Sequence, residues 1–397
     1  MVHEYSKQPW KGLYLAFEVL VTFLVRMPVW AVTYAFPSAL RRSTWSWRHA
    51  IAVALLRRVS TTAALVGGFG AVPDYRAITP AKDAEGVWID GVPHLITAEL
   101  KVWSTLSDVE SIRIPGYWFG KKGFSHVPSS PVQPGEKVFI FFHGGGYTLE
   151  CAHPVGGPAN IVRALIELNP HTPRALAVEY RLSSAHPSPD RHPFPTALLD
   201  ALAGYNYLVN VVGYSPRDIV AAGDSAGANL ALALVRYLIE HGSAIEVSLP
   251  GPPGHLLLLS PWADLSDSHD TPGSSSLTNT LDFLDDLAKG SFVSYCKRAF
   301  LGPHGLGMAS CNRYISPASL YPSVIAHFNS FPRTFITAGG AERLLDQIRT
   351  LKDKMVADMG ADKVTYYEAT DTTHDWLAFP WDPACPATLT AIQQWLA

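Results

Sequence analysis

The stretch of sequence that decides the fold is IVAAGDSAG, at positions 219–227. Its first four residues are apolar and predict the end of a buried strand, Asp218–Ala222, whereas Ala226–Ile239 carries apolar residues at helical spacing. Ser225 is therefore expected on a tight turn between a strand and a helix. The glycines of this G-x-S-x-G pattern let neighbouring chain pass close by, and a helix N-terminus favours negative charge beside the hydroxyl. The pattern predicts Ser225 as a nucleophile.

Strand-like and helix-like runs alternate from about Lys137 to the C-terminus, which is typical of βαβ units. Strands are predicted at Val138–Phe142, Arg174–Tyr180, Asp218–Ala222, His255–Ser260, Arg333–Ala338 and Val364–Ala369. Helices are predicted at Pro158–Leu168, Pro195–Val209, Ala226–Ile239, Arg343–Met359 and Pro386–Leu396. The expected fold class is α/β, with a mostly parallel central sheet flanked by helices.

Two segments interrupt this alternation. Residues 1–81 are helical in pattern and rich in aromatics, and we expect a cap or a membrane-associated segment there. Residues 263–330 lie between two strands and predict a cap insertion. The core is then 82–262 and 331–397. Helical pieces are expected in the insertion at Leu281–Leu287 and Ser291–Phe300, and strand-like pieces at Val87–Trp103 and Ser111–Phe119 predict an antiparallel start to the sheet.

Composition limits the classes of function. The 397 residues suffice for one large domain with insertions or for two modest domains. With 48% hydrophobic and 16% charged residues, a long disordered region is not expected. The net charge of −3 gives no reason to expect a nucleic-acid partner.

The four cysteines are scattered and form no C-x-x-C pair, so neither a zinc site nor a disulfide framework is expected. They are Cys151, Cys296, Cys311 and Cys385. The pattern favours free thiols in a reducing compartment, and a Cys296–Cys311 bridge remains open for a secretory chain.

The N-terminus allows two interpretations. Residues Leu13–Ala35 are largely apolar, but Glu18, Arg26 and Pro28 leave no charge-free run of the roughly 18 residues that a spanning helix needs. Glu18 also disfavours a secretory signal. The first 60 residues carry a net charge of +6, interleaved with tryptophans, which suits a helix in a membrane interface. Cap helices packed on the core are the alternative, and both can hold. We expect a cytoplasmic or membrane-associated protein, the endoplasmic reticulum included, rather than a secreted one.

A glycine loop, HGGGY at 143–147, follows the strand Val138–Phe142. Three consecutive glycines suit a loop whose amides must face a ligand without intervening side chains. In acyl transfer, two or three fixed N–H donors stabilise the developing oxyanion. We predict an oxyanion hole from the amides of Gly144, Gly145 and Ala226, and we expect His143 to shape the loop by hydrogen bonding.

A nucleophilic serine needs a base, and the base needs a carboxylate. In folds of this kind the chain order is serine, acid, histidine. His374 follows the last predicted strand and is the predicted base. Glu342 lies just after the strand Arg333–Ala338 and is the predicted acid, with Asp346 as the second candidate or as a support for the loop.

The region from about Lys137 to the C-terminus resembles the hormone-sensitive lipase family (family IV esterases and lipases) of the α/β-hydrolase fold. The resemblance depends on HGGGY at 143–147, GDSAG at 223–227, SPWADLS at 260–266, and YRL at 180–182 leading to HPFPTAL at 192–198. It implies a carboxylesterase or lipase-like enzyme without metal or cofactor, a mostly helical cap, and the triad Ser225, His374 and Glu342. Two features depart from the family pattern: Glu342-Arg343-Leu344 stands where Asp-Pro-Leu is common, and residues 183–191 form a longer stretch than the usual Ala-Pro-Glu.

The predicted reaction is hydrolysis of an apolar small-molecule ester through an acyl-enzyme on Ser225. Four aromatic residues are predicted to favour an apolar substrate, with cap core as the alternative: Phe283, Phe292, Tyr295 and Phe300. Tyr147 is also predicted to bind the substrate. Other functions remain open from sequence. The same acyl-enzyme could serve an acyltransferase, a macrocyclase or an amide deacetylase, and the scaffold could be a non-catalytic ligand receptor. The oligomeric state is not predicted.

Overall fold

The computed structural model describes residues 3–69, 72–121, 130–168, 171–284 and 291–397. In this part of the chain, eight strands form one sheet in the order β1-β2-β4-β3-β5-β6-β7-β8. The strands are β1 Ala84–Ile89, β2 Ile114–Gly120, β3 Val138–Phe142, β4 Arg174–Val178, β5 Ile219–Asp224, β6 His255–Leu259, β7 Arg333–Gly339 and β8 Val364–Ala369. The β1/β2 and β2/β4 pairs are antiparallel, and the remaining pairs are parallel. The predicted α/β class with an antiparallel start is confirmed.

The helices are α1 Trp10–Val21, α2 Met27–Tyr34, α3 Trp47–Val66, α4 Ala98–Leu106, α5 Ala159–Leu168, α6 Thr196–Asn206, α7 Ala226–His241, α8 Ser275–Thr278, α9 Phe292–Leu301, α10 Leu345–Met359 and α11 Cys385–Leu396. Two further turns are π-helical: Thr22–Arg26 joins α1 to α2, and Tyr207–Val212 extends α6. We call the continuous run Trp10–Tyr34 the N-terminal helix.

Strand alternation divides the core between the two faces of the sheet. In β3, Val138, Ile140 and Phe142 pack on one face with α6, α7 and α10, whereas Phe139 and Phe141 pack on the other with α5 and α11. All five side chains are buried, because helices cover both faces of the parallel part of the sheet. Each fully buried side chain of this size contributes about 1.5–3 kcal/mol, so the centre of the sheet is a rigid base for the loops that follow it.

The register brings the strand ends together. Phe142 at the end of β3 pairs with Gly223 of β5, and Asp224 at the end of β5 pairs with Leu259 of β6. The carboxyl ends of parallel strands therefore meet at one edge, where ligands bind in open α/β sheets.

Two sequence predictions of local structure were wrong. Of the strand-like region Val87–Trp103, only residues 87–89, at the end of β1, are in a strand, because the chain turns after Ile89 and forms α4 over Ala98–Leu106. Residues 281–284 of the expected helix Leu281–Leu287 form turns and bends, and residues 285–287 lie outside the described residues. The second expected piece, Ser291–Phe300, is present as α9. All four cysteines are thiols, so no disulfide joins Cys296 to Cys311.

Two helices of the described chain are long and apolar enough to cross a membrane, namely Trp10–Tyr34 and Trp47–Val66. A buried core helix and an N-terminal signal sequence meet the same criterion of length and composition, and the exposed fraction separates a helix only from the first of these. Only 11% of the most apolar window of the first helix is buried, compared with 28% for the second. The first helix therefore presents most of its apolar surface outwards. The assignment of residues 1–81 and 263–330 to a cap stays a prediction.

Candidate active site

The turn at Ser225 is held by backbone contacts. Ser225 adopts φ 51° and ψ −117° between β5 and α7, a conformation that a side chain rarely accepts. A Cβ on Gly227 would lie 2.0 Å from the carbonyl oxygen of Phe142, and one on Gly223 would lie 2.4 Å from the backbone of Gly227. The Ser225 amide also donates to the Leu259 carbonyl at 2.9 Å. Glycine is thus required on both sides of the serine, for the steric reason that the sequence suggested.

Three side chains predicted as a triad lie in one hydrogen-bonded row. Ser225 Oγ is 2.9 Å from His374 Nε2, and His374 Nδ1 is 2.7 Å from Glu342 Oε2. The other carboxylate oxygen of Glu342 accepts from the Gly339 amide at 2.8 Å. All three side chains are buried. The acid on Nδ1 fixes the tautomer in which Nε2 can accept a proton from the serine.

Asp346, the second candidate for the acid, lies elsewhere. It belongs to the first turn of α10, where its carboxylate accepts from the Ser275 amide at 2.7 Å and pairs with Arg349 at 3.8 Å. It therefore ties the 263–330 segment to α10 and has no contact with His374 among the described residues.

Two further carboxylates surround His374, and sequence reasoning missed both. Asp375 Oδ2 lies 2.9 Å from His374 Nε2, so this nitrogen faces the Ser225 hydroxyl and a carboxylate at equal distance. Asp282 accepts from the His374 amide at 3.1 Å through one oxygen and from the Arg343 amide at 2.8 Å through the other. The adjacency of His374 and Asp375 is visible in the sequence, but no pattern pointed to Asp282, which comes from the 263–330 segment.

These carboxylates determine the electrostatics of the base. Burial alone would lower the pKa of His374, but the carboxylates of Asp375 and Glu342 hold that pKa well above its usual value. Burial raises the pKa of Glu342, and it raises the pKa of Asp282 to about 6. Burial also raises the pKa of Asp224, and the nearby Asp375 charge adds to this effect. The histidine is thus surrounded by more carboxylates than its tautomer requires.

The glycine loop is shaped as predicted but faces the cavity with different residues. Gly145 and Gly146 adopt φ of 96° and 62°, and both line the cavity beside Ser225. A Cβ on Gly144 would lie 2.4 Å from Asp224 Oδ2, and the Gly144 amide lies against that carboxylate. No acceptor within the described residues bonds the amides of Gly145, Gly146 and Ala226. Of the three residues predicted for the oxyanion hole, Gly145 lines the cavity, whereas Gly144 and Ala226 do not.

His143 supports this loop from beneath. Its Nδ1 donates to the Gly144 carbonyl at 2.8 Å, and its ring stacks on Tyr180 with centroids 4.3 Å apart. The Tyr180 hydroxyl donates to the His143 carbonyl at 2.6 Å. Burial lowers the pKa of His143 to about 4, so the ring is neutral at physiological pH. These contacts agree with the predicted shaping role.

A largely apolar cavity opens above the triad. Ser225, His374 and Asp375 line it together with Ser60, Thr61 and Ala64 of α3. Its apolar wall consists of Leu149, Trp262, Phe283, Leu284, Phe292, Val293, Leu344 and Phe379. Such a cavity suits a small apolar ligand with a few polar groups at one end.

Two of the five aromatic residues predicted at the substrate site line this cavity, and three do not. Phe283 and Phe292 lie in the wall. Tyr147 is buried beneath it, stacked on Phe300 at 3.9 Å, with its hydroxyl donating to Asn229 Oδ1 at 2.7 Å. Tyr295 is also buried, and its ring lies 4.8 Å from His3. For Tyr147, Tyr295 and Phe300, the alternative of structural packing describes their positions.

One cluster in the described residues has the spacing of metal ligands, and it lies away from the cavity. It consists of Glu99, Glu240 and His241. Arg313 donates to both glutamates at 2.8 Å, so an existing cation already neutralises them.

Comparison with known proteins identifies the family. The profile of the alpha/beta hydrolase fold family matches residues 139–378, which is more than half of the chain, and the chain belongs to this family. It is 33% identical to an acetyl-hydrolase of Streptomyces hygroscopicus over 137 residues, which make up 34% of this chain and 39% of that protein. It is 29% identical to the esterase LipU of Mycobacterium tuberculosis over 239 residues, 58% of this chain and 69% of that one. The chain thus spans well under half the length of the first relative and about two thirds of the second.

Solved structures agree on the fold. An esterase/lipase from an uncultured bacterium superposes with a TM-score of 0.58 at 22% identity, over 87% of this chain and 99% of that one. A hormone-sensitive lipase from a metagenome library gives a TM-score of 0.54 at 23% identity, over 71% and 81%. The predicted α/β-hydrolase fold is confirmed, and proteins named as hormone-sensitive lipases are among the solved structures that share it.

Proposed function

We propose that the protein is a serine hydrolase that cleaves a carboxylic ester of an apolar small molecule through an acyl-enzyme. The observation that carries the proposal is the row of hydrogen bonds from Ser225 through His374 to Glu342, at 2.9 and 2.7 Å. The Ser225 end of this row lies in the wall of an apolar cavity. Relatives named as an esterase and an acetyl-hydrolase support the reaction class.

In the proposed mechanism, His374 takes the Ser225 proton as the oxygen attacks the ester carbonyl. Glu342 stabilises the imidazolium that forms, and His374 then gives the proton to the leaving alcohol. Water repeats the two steps on the acyl-enzyme and releases the acid. The charge on Glu342 and the buried position of all three groups favour this transfer over an exchange with solvent.

For the oxyanion we propose the amides of Gly145, Gly146 and Ala226. Gly145 and Gly146 line the cavity. Ala226 is the first residue of α7, where a backbone amide has no acceptor within the helix. Fixed amides of this kind contribute about 3–4 kcal/mol each to the transition state. The change from Gly144 to Gly146 follows from the position of the Asp224 carboxylate beside Gly144.

We also propose that the N-terminal helix associates the enzyme with a membrane. The support is its exposed apolar surface: only 11% of its most apolar window is buried. The basic excess of the first 60 residues adds attraction to anionic lipid.

The test is turnover of p-nitrophenyl esters from acetyl to palmitoyl by the full chain and by Ser225→Ala. We expect turnover by the wild type and a loss of about 10⁶-fold in kcat for the variant. Labelling of Ser225 by a fluorophosphonate without any ester turnover would contradict ester hydrolysis. Product analysis with added alcohol or amine then separates acyl transfer from hydrolysis, and failure of labelling would favour a non-catalytic receptor.

A further inference from the structure

The N-terminal helix carries the largest exposed apolar surface of the described chain. Eleven large hydrophobic side chains between positions 10 and 36 are more than half exposed. They are Trp10, Leu13, Phe17, Val19, Leu20, Phe23, Leu24, Val25, Val29, Val32 and Phe36. In α1 the exposed residues run from Val19 round to Trp10, and at about 100° per residue they cover about 180° of the circumference. On a soluble surface, such residues are normally scattered singly.

The central polar side chains of this helix, Tyr14, Glu18, Thr22 and Arg26, bond to one another or to Arg58 of α3. Glu18 is buried and accepts from Arg58 of α3 at 2.6 Å and from Arg26 at 2.7 Å. Arg58 also donates to the Tyr14 hydroxyl at 3.0 Å, and Arg26 to Thr22 at 2.9 Å. Glu18 and Arg26, which interrupt the apolar run in the sequence, are therefore paired with each other and with Arg58 of α3. The outward apolar surface of the helix carries neither charge.

Both ends of the helix are fastened to the same folded body. Before it, the His3 amide donates to the Ala64 carbonyl at 2.9 Å, and Lys11 in its first turn donates to the Gly68 carbonyl at 2.7 Å. After it, Arg42 donates to Asn279 at 2.8 Å, and the Trp45 indole donates to the Asp371 carbonyl at 2.7 Å. A spanning helix needs its two ends on opposite sides of a bilayer. Here that arrangement would draw the catalytic core into the hydrocarbon.

We infer that the N-terminal helix lies within one leaflet of a lipid bilayer, parallel to the membrane plane, with the catalytic core on the aqueous side. A helix is about 10 Å in diameter, and one leaflet supplies half of a hydrocarbon core of about 30 Å. A second protein surface meets a helix along one face, whereas lipid surrounds it, and the exposed apolar surface covers about half of the circumference of the helix. Exposed Lys7, Trp10, Arg41, Trp47 and Arg48 flank the helix and suit the headgroup region.

This arrangement determines the route of the substrate. The same helix α3 carries Arg58 towards the N-terminal helix and Ser60, Thr61 and Ala64 towards the cavity above Ser225. The cavity wall thus belongs to the helix that packs against the membrane helix. If the protein hydrolyses esters as proposed above, its substrate is an ester dissolved in the lipid. This ester enters the cavity without crossing water.

Binding is tested by flotation of the full chain with phosphatidylcholine vesicles. We expect the wild type to float with the vesicles and Leu24→Asp to lose at least tenfold in partitioning, because Leu24 is 72% exposed at the centre of the helix. Ile245→Asp is the matched control, since Ile245 is fully exposed at 103% and lies outside the helix, and it should float like the wild type. The inference would be overturned if the wild type did not float with the vesicles. It would also be overturned if Leu24→Asp floated like the wild type and differed from it only in self-association.

Orientation is tested by cysteine labelling in a Cys311→Ser background. Lys7→Cys and Ser38→Cys place one exposed thiol at each end of the helix. In sealed vesicles, an impermeant maleimide should label both positions to the same extent. Protection of one position and labelling of the other would show that the helix spans the bilayer and would refute the in-plane arrangement.

The substrate route is tested with two esters. Leu24→Asp should keep the wild-type rate on a short soluble ester and lose turnover of a long-chain ester held in vesicles. Equal retention on both would refute entry from lipid. Absence of turnover by the wild type on either ester, with intact flotation, would refute only the ester hydrolysis. If Leu24→Asp fails to react with a fluorophosphonate and is therefore misfolded, Val32→Asp, at a site 66% exposed, replaces it.

Discussion

The two sides of the catalytic row are held in different ways. On the nucleophile side, backbone passes within about van der Waals contact of glycine, and a Cβ on Gly227 would lie 2.0 Å from the Phe142 carbonyl. On the base side, His374 is surrounded by carboxylates from three segments: Glu342, Asp375 and Asp282. Sterics therefore fix the serine, and charge fixes the histidine. The difference implies that substitutions on the two sides fail in different ways.

The largest effect is expected from Gly227→Ala. The added methyl meets backbone, which cannot rotate away, so β3 and α7 must separate and displace both Ser225 and the glycine loop. We expect a loss of about 3 kcal/mol in the free energy of unfolding and loss of ester turnover. Denaturant unfolding and p-nitrophenyl ester kinetics measure the two losses. Gly307→Ala, where a Cβ meets open space, is the control and should leave both values unchanged.

Glu342→Gln tests the base side without removing the hydrogen-bonding shape. Loss of the charge removes the stabilisation of the imidazolium and permits the wrong tautomer, so we expect kcat to fall by about 10³–10⁴-fold. Asp346→Asn is the matched variant and should change kcat little, since Asp346 bonds the Ser275 amide instead. The reverse ranking of the two variants would assign the acid to Asp346.

Asp375→Asn should shift the pH profile rather than abolish turnover. His374 must be neutral to accept the serine proton, so activity is lost as the pH falls through the His374 pKa. The Asp375 carboxylate, 2.9 Å from Nε2, helps to raise that pKa. Its neutralisation should lower the His374 pKa and move the acid limb of kcat/KM to lower pH. Asp353→Asn, at an exposed site, is the control. An unshifted limb in Asp375→Asn would show that Asp375 does not act on the base.

The smallest effect is expected from Tyr147→Phe. The variant loses one buried hydrogen bond to Asn229, worth about 1 kcal/mol in the free energy of unfolding. KM should stay near the wild-type value, because Tyr147 lies beneath the cavity wall rather than in it. A large increase in KM with unchanged stability would restore the predicted substrate-binding role.

The sequence by itself determined the parts that depend on local backbone. The turn at 223–227 and the loop at 143–147 each follow a buried strand, and close backbone contact requires glycine at Gly145, Gly223 and Gly227. Alternation of strands and helices was enough for the α/β class. The same alternation was wrong at 87–103, where a short strand is followed by a turn and a helix, and at 281–284, where the chain forms turns and bends instead of a helix.

The tertiary structure alone decided the groups that converge from distant positions. Asp282 reaches the His374 amide across 92 positions of sequence, and Arg58 neutralises Glu18 across 40. Which glycine faces the cavity depends on the Asp224 carboxylate, and which aromatic rings line it depends on how α9 packs. Sequence patterns report on residues a few positions apart, whereas these contacts depend on how whole elements pack. The outward surface of the N-terminal helix is apolar because Glu18 and Arg26 pair with each other and with Arg58 of α3, and only the tertiary structure shows this pairing.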